Sequence, residues 1–124
     1  MTTSAAPGVS PSLLELRNAL REFVAERDWD RFHSPKNLAS ALAVEAAELL
    51  ERFQWLTEEE SRALTPDQHA RVRDEMADVL VYLVRLADKL DVDLLQAARE
   101  KMKKNALKYP VDKARGNAKK YSEL

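Results

Sequence analysis

Glycine and proline interrupt regular backbone, and this 124-residue chain holds only two of the first and five of the second. The prolines stand at positions 7, 11, 35, 66 and 110, so long segments between them carry no helix breaker. Inside those segments apolar residues recur at three- and four-residue intervals, as in Leu16, Leu20, Phe23 and Val24. An all-α fold is the expectation.

The length suits one domain with a real core, and 45% hydrophobic against 33% charged residues describes a foldable chain, not a disordered one. There is no cysteine, which excludes disulfides and thiolate metal sites. The start, Met1-Thr2-Thr3-Ser4-Ala5-Ala6, has neither a basic nor an apolar leader region, and no apolar run approaches the roughly 20 residues that span a bilayer. A cytoplasmic protein with no membrane partner is expected.

Residues 1–11 lack periodicity and read as a mobile arm. Residues 12–110 read as the helical domain. Its first helix opens at Ser12, which has capping-box spacing to Glu15. Ser34-Pro35 opens a second helix reaching about Gln54, Thr65-Pro66-Asp67 opens a third, and Asp91-Val92-Asp93 ends that one and caps a fourth from Leu94 to about Leu107. Leu95, Ala98 and Met102 are expected to face inward on the fourth helix. Tyr109-Pro110 closes it, and 111–124 read as an extended basic tail. Four helices on short connections predict a four-helix bundle. The second helix is apolar nearly all round, more than one bundle would cover, and this predicts a homo-oligomer.

That second helix contains the chemistry. From Leu38 to Leu50 its only ionisable residues are Glu45 and Glu48, which share one face at about 100° per residue. Removing an unpaired carboxylate from water costs roughly several kcal/mol, so basic side chains, protonation or a bound cation must neutralise the pair. Glu75 and Asp78 repeat the spacing on the third helix. If the two helices pack antiparallel, four carboxylates converge. Such an all-oxygen set suits a hard cation, Mg2+ or Mn2+, whose shell is commonly completed by substrate phosphates. The bland alternative is an ion-pair network with Arg52, Arg71 and Arg85. A ferritin-like di-iron site would need a histidine three residues after a glutamate, and neither His33 nor His69 is so placed.

Tyr82 follows Asp78 by one turn on a stripe with Arg71, Glu75, Arg85 and Lys89, and with Trp29 and Trp55 it offers aromatic faces to a base, core packing being the alternative. Lys101, Asn105 and Lys108 or Tyr109 are spaced to share a face, suited to phosphate or simply to solvent. Residues 99–120 hold nine basic against two acidic side chains, whereas 1–98 hold 11 basic against 18 acidic. The basic end suits phosphates, and the acidic body argues against a long nucleic acid.

Taken together these residues resemble a known family, the MazG-like all-α nucleoside triphosphate pyrophosphatases, whose signature is E-x-x-E followed by E-x-x-D on the next helix. The resemblance is closest to the dCTP pyrophosphatase branch and runs through Phe23 to Leu38, Glu48 to Trp55, Glu75 to Val84, Lys101 to Pro110 and Lys119 to Leu124. It implies Mg2+-dependent hydrolysis of a nucleoside triphosphate to monophosphate and pyrophosphate, in a homotetramer of paired dimers. Glu45, Glu48, Glu75 and Asp78 would be the metal ligands, with Glu45 or Glu48 activating water. Trp29, Trp55 and Tyr82 would form the base and sugar pocket. Lys101, Asn105 and Tyr109 would contact phosphate or base, from the same or a neighbouring subunit, and Lys119 and Lys120 would close over the triphosphate. Leu20 stands where animal relatives carry a histidine and the Thr57–Pro66 connector is shorter than theirs, so the resemblance leaves the preferred base open. The alternative from another class is a non-catalytic helical oligomerisation or nucleotide-sensing module.

Overall fold

The computed structural model describes residues 12–124, so the expected N-terminal arm lies outside the described residues. The helices are α1 (Leu13–Glu26), α2 (Pro35–Glu51), α3 (Glu58–Arg62), α4 (Pro66–Lys89), α5 (Leu94–Lys108) and α6 (Val111–Ala114), with 3-10 turns at Asp30–Phe32 and Tyr121–Glu123. No strand occurs among the described residues, and the fold is all-α. None of these helices is long and apolar enough to cross a membrane.

Local chemistry sets the helix starts. Ser12 accepts from the Glu15 amide and Ser34 from the Asn37 amide, at 3.3 and 3.1 Å, with Pro35 in the first turn, where its missing N–H costs nothing. Thr57 with Glu60 and Thr65 with Gln68 form reciprocal capping boxes, and Asp93 accepts from the Gln96 amide at 3.1 Å. Two aspartates take left-handed backbone where helices end, Asp28 at φ 53° after α1 and Asp91 at φ 58° after α4. Short polar side chains tolerate that region better than other L residues do. Asp28 turns the chain sharply, so that Trp29 donates its amide to the Val24 carbonyl at 3.0 Å and stands edge-on to Phe23.

The chain divides into two compact units, one ending at Asp91 and the other Val92–Leu124. The division falls ahead of the fourth long helix. In the first unit α4 packs against α2 and, less extensively, α1. Contacts at both ends make α2 and α4 antiparallel: Arg52 at the end of α2 meets Glu75 in the first half of α4, and His33, just ahead of α2, meets Arg85 in the second half. Val24, Leu38, Val72, Val84 and Ala87 are the buried apolar residues.

The Thr57–Pro66 connector contains a short helix of its own, α3, started by the Thr57 capping box. Several expectations need correction. The second helix stops at Glu51, not Gln54. The C-terminal stretch is not simply extended, since it contains α6 and the last 3-10 turn. Leu95, Ala98 and Met102 are exposed on α5, not inward. Periodicity places residues on a common face without saying whether that face is covered.

Candidate functional site

α2 is a strong helix former, and its positions 38, 41, 42, 45, 48 and 49 are the less exposed face. Glu45 and Glu48 are therefore carried toward α4, where Glu75 is 9% exposed. One carboxylate oxygen from each of Glu45, Glu48 and Glu75 lies within 4.8 Å of the others. Three negative groups at such separations repel strongly unless something positive or a proton intervenes. Burial, then hydrogen bonding and charge from Glu48, with smaller contributions from Asp78 and Glu75, push Glu45 up to about 7. Asp78 thus acts on Glu45 electrostatically, although its oxygens are not within that radius of all three partners.

Two buried oxygens in this cluster, Glu45 Oε2 and Glu75 Oε2, have no hydrogen-bond partner. Buried polar atoms in native proteins are nearly always satisfied, so orphaned carboxylate oxygens facing further carboxylates fit a cation. The donors are all oxygen, a set that suits a hard divalent ion.

The ion-pair alternative is only partly realised. Arg52 Nη2 is 3.2 Å from Glu75 Oε1. Arg71, however, pairs with Asp67 at 3.3 Å on its own helix. Arg85, 3% exposed, pairs with Asp30 and Asp88 and donates Nε to His33 Nδ1 at 3.3 Å. Of the three arginines named from the sequence, one reaches the cluster.

The aromatic candidates occupy different settings. Trp29 is exposed beside Phe23, with the Arg27 guanidinium 3.6 Å from the Phe23 ring centre. Its turn is held by Asn37 donating to the Phe32 carbonyl at 3.0 Å and by Asp30 in ion pairs with Arg85 and Lys89. Tyr82 is half-buried on α4. Trp55, one turn past the end of α2, is 87% exposed, so core packing does not account for it. In the second unit Lys101 and Asn105 lie exposed on α5, Tyr109 stacks edge-to-face on Tyr121 at 6.2 Å, and the Lys119 amide donates to Asn117 Oδ1 at 3.0 Å near Lys120.

Sequence reasoning did not find the network Arg21–Asp88–Arg85–Asp30–Lys89. Arg21 donates Nε to Asp88 at 2.8 Å, and the group lines a cavity of about 350 Å³ with Val24 and Ala25. The Arg85–Asp88 spacing of three was a readable local signal. The links from Asp88 to α1 and from Arg85 to the Trp29 turn are separated by more than fifty residues and left none.

An all-α fold with a partly buried acidic cluster between paired antiparallel helices belongs to the class of α proteins that bring carboxylates together. Comparison narrows the class. A model of the MazG-like family matches residues 41–124. The protein named dCTP pyrophosphatase 1 from Bos taurus is 44% identical over 128 residues, covering 99% of this chain and 76% of that one. Its namesake from Mus musculus is 47% identical over 116 residues, covering 92% and 68%. The crystal structure of a pyrophosphatase from Archaeoglobus fulgidus DSM 4304 superposes with a TM-score of 0.76 at 39% identity, covering 86% of this chain and 99% of that one. The chain belongs to the MazG-like family.

Proposed function

We propose that the protein hydrolyses a nucleoside triphosphate to the monophosphate and pyrophosphate by water attack at the α-phosphorus, with dCTP or a modified deoxycytidine triphosphate as substrate. The observation that carries this reading is the cluster of Glu45, Glu48 and Glu75, three carboxylates within 4.8 Å with two buried oxygens unpartnered. The relatives named dCTP pyrophosphatase 1, at 44% and 47% identity, support the choice of nucleotide.

Glu45, Glu48, Glu75 and Asp78 would hold Mg2+, or Mn2+ in its place. A divalent ion there supplies charge neutralisation for the phosphate oxygens. A carboxylate of the Glu45–Glu48 pair holds the attacking water and takes its proton. Trp29, Trp55 and Tyr82 flank base and sugar, their faces offering stacking. Lys101, Asn105 and Tyr109 contact phosphate or base, and Lys119 and Lys120 bring positive charge to the triphosphate. The enzyme works in the cytoplasm, clearing the nucleotide pool of unwanted triphosphates, as a homotetramer. Val44 and Leu50 on α2 and Met76 on α4, each more than half exposed in one chain, support the assembly.

The test is a panel of deoxynucleoside triphosphates with Mg2+, followed by pyrophosphate release with and without EDTA. Release that is greatest with dCTP or a modified dCTP and absent with EDTA is expected. No release from any triphosphate would leave the non-catalytic oligomerisation or sensing module.

A further inference from the structure

Arg52 has no role in the reading above, yet it is the arginine that reaches the carboxylates. Positions 45, 48 and 52 fall on one face of the α2 direction, so the guanidinium overhangs the same side as the two glutamates. Its Nη2 lies 3.2 Å from Glu75 Oε1, and its side chain is 38% exposed against 11% for Glu75. A cation thus reaches in from the solvent edge to a buried acid. The nearby rivals are engaged elsewhere, Arg71 with Asp67 and Arg85 with Asp30 and Asp88. One guanidinium cannot balance three clustered carboxylates, and Glu75 Oε2 stays buried without a partner.

We infer that Arg52 is a displaceable counter-cation: it holds Glu75 in the metal-free protein and competes with the divalent ion for that carboxylate, so it sets how tightly the centre loads. The inference rests on the proposed metal centre. A guanidinium and a divalent ion sharing one carboxylate repel each other, and the repulsion is weakly screened where the acid is buried. The pair is also open to water on the arginine side, where ion pairs are easily broken. Arg52 therefore lowers metal affinity without preventing loading. Without it, Glu75 would be a buried charge lacking its cation, which destabilises the metal-free state and makes the ion more welcome.

The experiment is titration of Mn2+ alone into the full chain, without nucleotide, following free Mn2+ by electron paramagnetic resonance. Arg52→Met should bind Mn2+ about 10-fold or more tightly than the unaltered protein, a size set by removing one nearby positive charge. Arg52→Lys, which keeps the charge, should stay within about threefold. Arg71→Met, which removes a cation outside the cluster, should leave the affinity unchanged. Without metal, Arg52→Met should melt at a lower temperature, and saturating Mn2+ should raise its melting temperature more than that of the unaltered protein. Unchanged or weaker Mn2+ binding in Arg52→Met would overturn the inference, because the guanidinium would then be a bystander or an aid to Glu75. If metal-dependent hydrolysis persists in that case, only the competitor role fails. If no variant binds Mn2+ at all, the proposed metal centre fails with it.

Discussion

Arg85 on α4 lies 3.1 Å from Asp30, in the turn that carries Trp29, and not on the acidic cluster earlier along its own helix. This pairing leaves the carboxylates short of cations and ties the approach to α2 onto the second half of α4. Arg85 is 3% exposed and ties two elements together. Its acids keep other cations without it, Asp30 that of Lys89 and Asp88 that of Arg21, so its loss removes buried packing and hydrogen bonds. Arg85→Met is therefore expected to lower the midpoint of urea unfolding, the direction being the checkable outcome. Acrylamide quenching of Trp29, measured in a Trp55→Phe background, should rise in the same variant.

Asp88 carries the pH dependence of this network. Its hydrogen bond from Arg21, with the charges of Arg21 and Arg85, holds the carboxyl below its usual value of 3.8. A carboxylate with a lowered folded pKa contributes stability that is present above the unfolded value and lost as pH falls through the folded one. The difference in melting temperature between the unaltered protein and Asp88→Asn should be full at pH 7 and shrink as the solution is acidified below about pH 4. A difference independent of pH would show that Asp88 contributes by packing alone.

Glu45 gives the opposite sign. Its pKa is raised from 4.5 to about 7, first by burial and then by Glu48. A raised group contributes stability that is complete below the unfolded value and lost as pH climbs through the folded one. The metal-free protein should thus lose stability between about pH 4.5 and 7. Glu45→Gln has no proton to lose and should flatten that part of the profile, as read by thermal melts in EDTA.

The carboxylates are expected to act together in turnover. Glu45→Gln, Glu48→Gln, Glu75→Gln and Asp78→Asn should each reduce pyrophosphate release by at least about 100-fold while keeping the helical circular dichroism, in line with the loss of a positioned acid–base or ligand group. Asp78 is the informative member, because its oxygens are not within 4.8 Å of all the other three. Full activity in Asp78→Asn would limit the centre to the remaining glutamates.

Exposed apolar side chains on α2 bear on assembly. Leu50 is 63% exposed, and a charge placed there should disrupt a self-complementary interface without touching the monomer's core. Light scattering should give about four times the chain mass for the unaltered protein and a smaller particle for Leu50→Glu. A monomeric mass for the unaltered protein at micromolar concentration would refute the tetramer.

Helix starts were legible in the sequence because capping is local: Ser34, Thr65 and Asp93 each bond an amide three positions on, whatever the rest of the chain does. The shared face of Glu45 and Glu48 was legible for the same reason, since helical pitch alone fixes it. Tertiary structure alone decided which cations met acids on other elements. Pitch gives no information on how far α4 is rotated about its axis, and that rotation buries Glu75 beside Arg52 while turning Arg85 toward Asp30. It likewise decided that Leu95 and Met102 stay exposed, because an apolar stripe is a property of the chain, whereas its cover is supplied by whatever packs on it.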